Sequence, residues 1–485
     1  LRDDFIEAPG DLTPLQVETR IAELRESMAS CPGDPSLHRE LSVCFRMLGT
    51  PYSRSLSIDE IDRAIALDPH DPVNRVEKGL TLYAMRFIGG AASEMKRAIE
   101  IDPGCFHAWY QLARIEKHRY LLNMCFPDHR DKAMGYYKKA YEIDDSHEDT
   151  LFNLGFLHLL CGMTRASGKY AEKAARLYPL NPRHRILLGC IALDKGLFDE
   201  SSACFAEGLS LMDDREKAYY LEAVPVLSVP DREEYLRWPQ ARKLSWSGKF
   251  WAMNDPTPAT VVNERLLSHY QRVFFARELL TLERLGLEGA ESARGQALIR
   301  YGRPDKFLYS LGGGLHGAIV VWEYSGEGGD FRLFFQNEFL NGDYHIPISP
   351  EFNHMAEATQ AVLDELPQRY SYPVEYLPAG LHAVSAHRRG EGGSSRIDFS
   401  AAIPDSVLSD ADGDFETVIS IFDQDLTRLS TVSFRLGADT LESFSRLGVL
   451  YRLFRYSLDM IAPSGECTFA MELTGGHPFK RGSWK

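Results

Sequence analysis

No apolar run in this 485-residue chain comes near the ~18 residues that a bilayer-crossing helix needs, so no membrane-spanning helix is written into it. Basic residues are in short supply, 54 Lys+Arg against 69 Asp+Glu for a net charge of −15, and no basic stripe offsets the balance. Such a surface repels phosphate backbones, which excludes nucleic acid as the expected partner. Metal-site signatures are missing too. The eight cysteines, seven of them before residue 205, form no CxxC, no Cys/His zinc spacing and no CxxCH haem site. They read as small buried helix residues. Spacing neither requires nor excludes a bridge such as Cys105 to Cys125, so the compartment stays open on this count.

Catalytic signatures are equally scarce. There is no Gly-x-Ser-x-Gly elbow, and the glycine-rich stretch Leu311–Gly317 lacks the Lys-Ser/Thr and the following helix of a phosphate loop. Asp410–Glu416 is acidic, but its glycine sits at the fourth place of a calcium loop rather than the sixth, and no Glu closes it. His345, His354, His382 and His387 lack metal-ligand spacing. No catalytic, cofactor-binding or metal residue is therefore assigned, and no cofactor is expected. The chain opens Leu1-Arg2-Asp3-Asp4, without Met and without a charged-then-apolar leader, which fits a processed N-terminus or a piece of a longer chain.

What is present is a repeat. Ala64-Ile65-Ala66-Leu67-Asp68-Pro69 returns as Ala98–Pro103, Ala140–Asp145, Ala174–Pro179 and Gly208–Asp213, at steps of 34, 42, 34 and 34 residues. One repeat thus carries an eight-residue insertion, placed around Arg119 to Phe126, between its two helices. A second small position lies 24 residues before each Pro/Asp: Gly79, Gly155 and Gly189, with Ala113 once the insertion is allowed for. Small residues at two helix crossings, with a helix-stopping Pro, are what stacked helical hairpins need.

This pattern resembles the tetratricopeptide repeat over about residues 35–215, with Trp109, Ala133 and Phe205 on its signature positions and a capping helix around Leu15–Ser30. The resemblance implies an α-solenoid whose concave face takes a peptide, a helix or a neighbouring domain. That groove is expected to be lined by Val76, Leu80 and Tyr83, then Tyr110, Arg114 and Lys117, then Phe152, Phe156 and Leu159, then Ile186 and Leu193. Most of these are apolar, which argues against a clamp for a C-terminal carboxylate and for a groove covered by a helix or domain.

Past residue 215 the register is lost. Pro225, Pro230 and Pro239 mark a connector, and Thr257-Pro258 predicts the start of an amphipathic helix running to about Leu282. A strand is predicted over Gln296–Tyr301, others at Ile319–Tyr324 and Phe331–Gln336, and a helix near Glu351–Leu366. Phe250-Trp251, Asp255-Pro256-Thr257-Pro258, Asn263-Glu264, Tyr270, Arg272, Arg294-Gly295, Tyr301-Gly302-Arg303-Pro304-Asp305 and Trp322-Glu323-Tyr324 together resemble the GWxTD domain family over about residues 245–345. The eponymous motif, however, reads Gly289-Ala290-Glu291-Ser292-Ala293 here, without its aromatic residue and its acid. The resemblance implies a periplasmic or extracellular location. With the motif eroded, Arg294, Asp305 and Trp322 are expected to be structural: Asp305 bonded to amides of its own turn, Arg294 to a carboxylate or carbonyl.

Residues 371–485 change to period two, as in Ile397/Phe399/Ala401 and Phe469/Met471/Leu473, which predicts six or seven antiparallel strands suited to an immunoglobulin-like β-sandwich. The predicted organisation is a capping helix at 1–34, a tetratricopeptide solenoid at 35–215, a connector at 216–248, a GWxTD-like α+β domain at 249–368 and the β-sandwich at 369–485. The expected function is a non-catalytic protein–protein scaffold or assembly subunit, with neighbouring copies or a hydrophobic protein segment as partner, in a homo-oligomer or filament. The competing readings are an enzyme built on the middle domain and a cytosolic adaptor or co-chaperone.

Overall fold

The computed structural model describes residues 13–311, 317–325, 329–338, 341–365, 368–369, 375–376, 382–389, 395–404, 415–423, 426, 428–436, 442–446, 449–460, 468–474 and 480–484. Leu1, the glycine-rich stretch at 312–316, the acidic stretch at 410–414 and Cys467 lie outside them. The chain divides into two compact units: Leu1–Ile191 with Phe275–Gly295 and Pro304–Gln360, and Ala192–Phe274 with Gln296–Arg303 and Ala361–Lys485.

The first unit begins with helix α1 (Pro14–Ser30), closed at its start by a Thr13/Gln16 capping box. Helical hairpins follow: α2 (Pro35–Leu48) with α3 (Pro51–Leu67), α4 (Pro72–Ala84) with α5 (Ile88–Ile101), α6 (Phe106–Asn123) with α7 (Pro127–Ile143), and α8 (Glu148–Leu160) with α9 (Thr164–Leu177). Helix α10 (Pro182–Asp194) opens the next. Proline at the first helical position is pre-set for the helix and loses no needed N–H there, while Asp34 and Asp71 ahead of it accept the freed amides of Ser36 and Val73.

The in-phase small residues sit where helices cross. Ala64, Ala98, Ala140 and Ala174 are wholly buried. A Cβ on Gly79 would lie 2.7 Å from the Met95 methyl and 3.2 Å from the Ala91 carbonyl, so α4 and α5 meet almost backbone to backbone. The insertion adds no loop. Helix α6 has 18 residues against 13 in α4 and α8, and α7 has 17 against 14 in α5 and α9, so five of the eight extra residues lengthen α6 and three lengthen α7.

The same unit holds an antiparallel sheet in the order β1 (Lys306–Leu311), β2 (Ala318–Tyr324), β3 (Phe331–Asn337), with a later helix at Asn353–Glu365. The lengthened hairpin meets this part of the chain: the Phe126 ring stands edge-on to Tyr309 of β1 at 5.8 Å, and Arg294 donates to the Leu122 carbonyl at 3.3 Å.

In the second unit, α11 (Phe198–Ser210), α12 (Asp214–Leu221), α13 (Val229–Leu236) and α14 (Gln240–Met253) precede α15 (Glu264–Leu280), whose residues from Phe275 on belong to the first unit. Phe205 and Tyr220 both pack edge-on against Tyr270. The predicted helix start at Thr257 is displaced to Glu264. The Thr257 hydroxyl is taken up by the Glu264 carboxylate, and residues 258–260 are drawn out as a loop gripped from the C-terminal strands. There the Ala259 amide donates to Glu472 at 2.9 Å, Ser420 donates to the Ala259 carbonyl at 2.7 Å, and Arg428 donates to the carbonyls of Pro258 and Thr260.

The predicted strand at Gln296–Tyr301 is instead the body of helix α16 (Ala293–Tyr301). The Ser292 hydroxyl accepts the Gly295 amide at its start, and Gly302, at φ 78°, ends it by donating to the Leu298 carbonyl. Helix α17 is the Asn353–Glu365 helix named above.

The C-terminal third forms nine strands among the described residues, more than the six or seven expected. They are β4 (Glu375–Tyr376), β5 (His382–Arg389), β6 (Ser395–Pro404), β7 (Phe415–Phe422), β8 (Arg428–Leu436), β9 (Glu442–Arg446), β10 (Val449–Met460), β11 (Thr468–Thr474) and β12 (Lys480–Trp484). Two sheets result, β5-β6-β10-β9 and β4-β12-β11-β7-β8, antiparallel except for the β12–β4 pair.

Candidate protein-binding groove

Most of the residues named from the repeat as groove lining are buried rather than open. Val76 and Leu80 belong to the cluster that includes Ala91, Met95, Ala108 and Leu112. Tyr83, half-buried, stands edge-on to His118 at 5.9 Å. Ile186 is buried, as is Leu193 in the second unit.

The middle of the groove is its most specific part. Phe152 and Phe156, one turn apart on α8, are stacked at 5.9 Å with planes 9° apart, and both are 0% exposed, with Leu159 at 2%. The cover comes from α15. Phe275 lies edge-on to Phe156 at 6.0 Å, and Glu278, one turn further, receives two hydrogen bonds from Arg183 at 3.0 and 2.8 Å. The Arg183 guanidinium also lies over the Phe152 ring at 3.9 Å. A planar cation on a ring face, held by a bidentate carboxylate, is a geometry that lysine could not reproduce.

Around this column lies a polar set. Tyr110 donates to Asp149 at 2.9 Å, and Asp149 stands 3.8 Å from Arg183. Lys117 donates to Asn153 at 2.6 Å, with its ammonium 5.7 Å above Phe156, and Arg114 lies 5.6 Å from the Tyr110 ring centre. Burial disfavours charge on Glu278, but the Arg183 charge and its hydrogen bonds more than offset this and hold the carboxyl below its usual range. Asp149 is lowered in the same way, burial opposing and Arg183 and the Tyr110 hydroxyl prevailing. Burial pulls Lys117 down to about 8, with Glu278 resisting the fall and Arg183 adding to it.

Sequence reasoning named the apolar residues and missed Asp149, Asn153, Arg183, Phe275 and Glu278. A signal existed for two of them: Asp149 and Arg183 are second residues of α8 and α10 and stand one repeat apart. Phe275 and Glu278 lie outside the repeat and carry none.

Arg294, Asp305 and Trp322 each make packing or hydrogen-bonding contacts. Arg294 is buried, donates to the carbonyls of Leu122 and Gly342 at 3.3 Å each, and faces the Tyr344 ring at 4.2 Å. Burial without a bonded carboxylate takes its guanidinium down to about 10. Asp305 accepts an amide, but not from its own turn: the donor is Ser325 at 2.7 Å, at the far end of the β1–β2 hairpin. Trp322 packs between Phe307 and Phe335 at 5.9 and 5.1 Å. Among the described residues no group of three or more His, Cys, Asp or Glu is placed to hold a metal ion, Cys105 and Cys125 are unbridged, and no helix is long and apolar enough to cross a membrane.

Paired helices with small residues at their crossings make a tetratricopeptide-like helical solenoid, joined in the chain to small antiparallel sheets. No protein-family model and no curated protein matches the chain. Solved structures that resemble part of it include MamA, at 19% identity over 38% of this chain and 94% of that one, with a TM-score of 0.32. Another is the pilF protein of Pseudomonas aeruginosa, at 18% identity over 40% of this chain and 82% of that one, with a TM-score of 0.34. A third is the thermophilic TPR protein TTC0263 of Thermus thermophilus, at 18% identity over 38% of this chain and 94% of that one, with a TM-score of 0.30.

Proposed function

We propose that this protein is a non-catalytic scaffold or assembly subunit that works outside the cytoplasm by binding protein through its solenoid, with homo-oligomer or filament formation as its mode of action. The observation that carries the reading is the burial of Phe152, Phe156 and Leu159, with Phe275 of α15 edge-on to Phe156 and Glu278 bonded to Arg183, an arrangement that suits uptake of a helix. The C-terminal sheets, read as an immunoglobulin-like sandwich after a GWxTD-like middle domain, supply open strand edges as a second docking surface. On this reading the partition at 35–215, 249–368 and 369–485 separates a gripping part from a presenting part. Head-to-tail engagement of one copy by the next gives rings or filaments.

The test is molar mass by light scattering at low and high protein concentration. Growth of the particle with concentration is the expected result. A monomer of constant mass across the range removes the assembly reading.

A further inference from the structure

We propose that the groove formed by α6, α8 and the start of α10 is a receptor for a helix that presents an aromatic ring and, one turn later, a carboxylate, and that Phe275 and Glu278 of α15 occupy it in cis as an autoinhibitory ligand. The proposal rests on the reading of the concave face as the partner site and names the chemistry that site selects.

Charge is the first argument. Arg183, Arg114 and Lys117 lie near enough to Asp149 to lower its pKa, and Arg183, Lys117 and Arg277 do the same for Glu278. If Glu278 were absent, Arg114, Lys117 and Arg183 would share Asp149 and Glu148, in surroundings where burial already draws the Lys117 ammonium away from its charged form. A carboxylate entering from outside the repeats therefore balances the remaining cationic excess. Geometry is the second argument. Arg183 is fixed by its stacking on Phe152, so its two N–H groups aim at one place, where Glu278 now sits. Phe275, three residues earlier and so on the same helix face, meets Phe156. A partner helix with the same pair competes for the same two contacts, and it binds only as far as α15 yields, which makes groove opening a population shift.

The probe is a fluorescein-labelled synthetic peptide of residues 268–283, added to the full chain and followed by anisotropy. The wild-type chain should bind it weakly because the groove is filled. Glu278→Arg and, independently, Phe275→Ala should loosen α15 and tighten peptide binding by about tenfold or more, the change that 1.4 kcal/mol of released competition produces. Adding Arg183→Glu to the Phe275→Ala chain should abolish the gain, and a peptide carrying Arg in place of Glu278 should restore it. Variants that keep their helical circular dichroism yet bind the peptide no better than wild type overturn the proposal. So does failure of both loosening variants to fold, since α15 is then a fixed part of the core. A chain that stays monomeric removes the assembly reading and leaves peptide uptake untouched, so the two failures are distinguishable.

Discussion

Arg86 occupies the middle of the α4–α5 turn at φ 69°, where the equivalent turns after α8 and α10 have Gly162 at 71° and Gly196 at 72°. An L side chain is strained in this left-handed region by roughly 1–2 kcal/mol, whereas glycine is not. Arg86 is exposed, so little packing is lost on its removal. Arg86→Gly should stabilise the chain by about 1 kcal/mol, and Gly162→Arg should destabilise it by a similar amount, both read as shifts of the urea midpoint. His269 offers a titration test. It is buried against Trp251, with ring centres 4.4 Å apart. Burial first, then the charges of Arg272 and Arg265, carry its pKa down to about 3, against the pull of backbone acceptors at Tyr220 and Glu222. The unfolded chain therefore binds a proton below about pH 6.5 that the folded one refuses, so this contribution is intact above 6.5 and is lost as the pH falls towards 3. His269→Gln should flatten the loss of thermal stability across that window, and an unchanged acid limb would refute the assignment.

At the scale of elements, the helix crossings and the α8–α15 contact carry separate expectations. A Cβ on Gly155 would already lie 3.0 Å from the Leu187 side chain and 3.5 Å from the Ala171 amide. Gly155→Leu should therefore cost on the order of 1–3 kcal/mol by overpacking, seen as a lower melting temperature. Arg183→Met leaves the Glu278 carboxylate without its two charge-assisted bonds and should cost about 1.5–3 kcal/mol, while Arg183→Met with Glu278→Leu should recover most of it. The hairpins were legible in the sequence, because the small residues at Ala140, Ala174 and Gly208 repeat a local packing demand every 34 residues, but the insertion, expected between two helices, lengthens both helices instead. A helix or domain over the groove was expected from its apolar lining, but which helix covers it was not legible. Glu278 reaches Arg183 across 95 residues of chain, and no periodicity reports such a contact. Short segments failed for a different reason. Gln296–Tyr301 is too brief for its apolar spacing to tell strand from helix, and Thr257, though a capping residue type, spends its hydroxyl on Glu264.

For the whole molecule, sequence order and compactness part company: the first unit needs Phe275–Gly295 and Pro304–Gln360 as well as the repeats. A fragment ending at residue 215 keeps every hairpin and still loses Phe275 and Glu278, leaving Phe156 without its ring partner and Arg183 without its carboxylate pair. It should bind an apolar-surface dye and aggregate more readily than the full chain. A fragment as soluble and dye-silent as the parent would show that the groove closes without α15.

The same discontinuity sets a clock on biosynthesis. Phe156 and Phe275 are separated by 118 intervening residues, all of which leave the ribosome before the cover does. At about 5–20 residues per second, a ribosome leaves Phe156 without its cover for roughly 6–24 s. Through that interval the nascent chain displays an aromatic cleft flanked by cations, and a holdase that shields such clefts would find its client there.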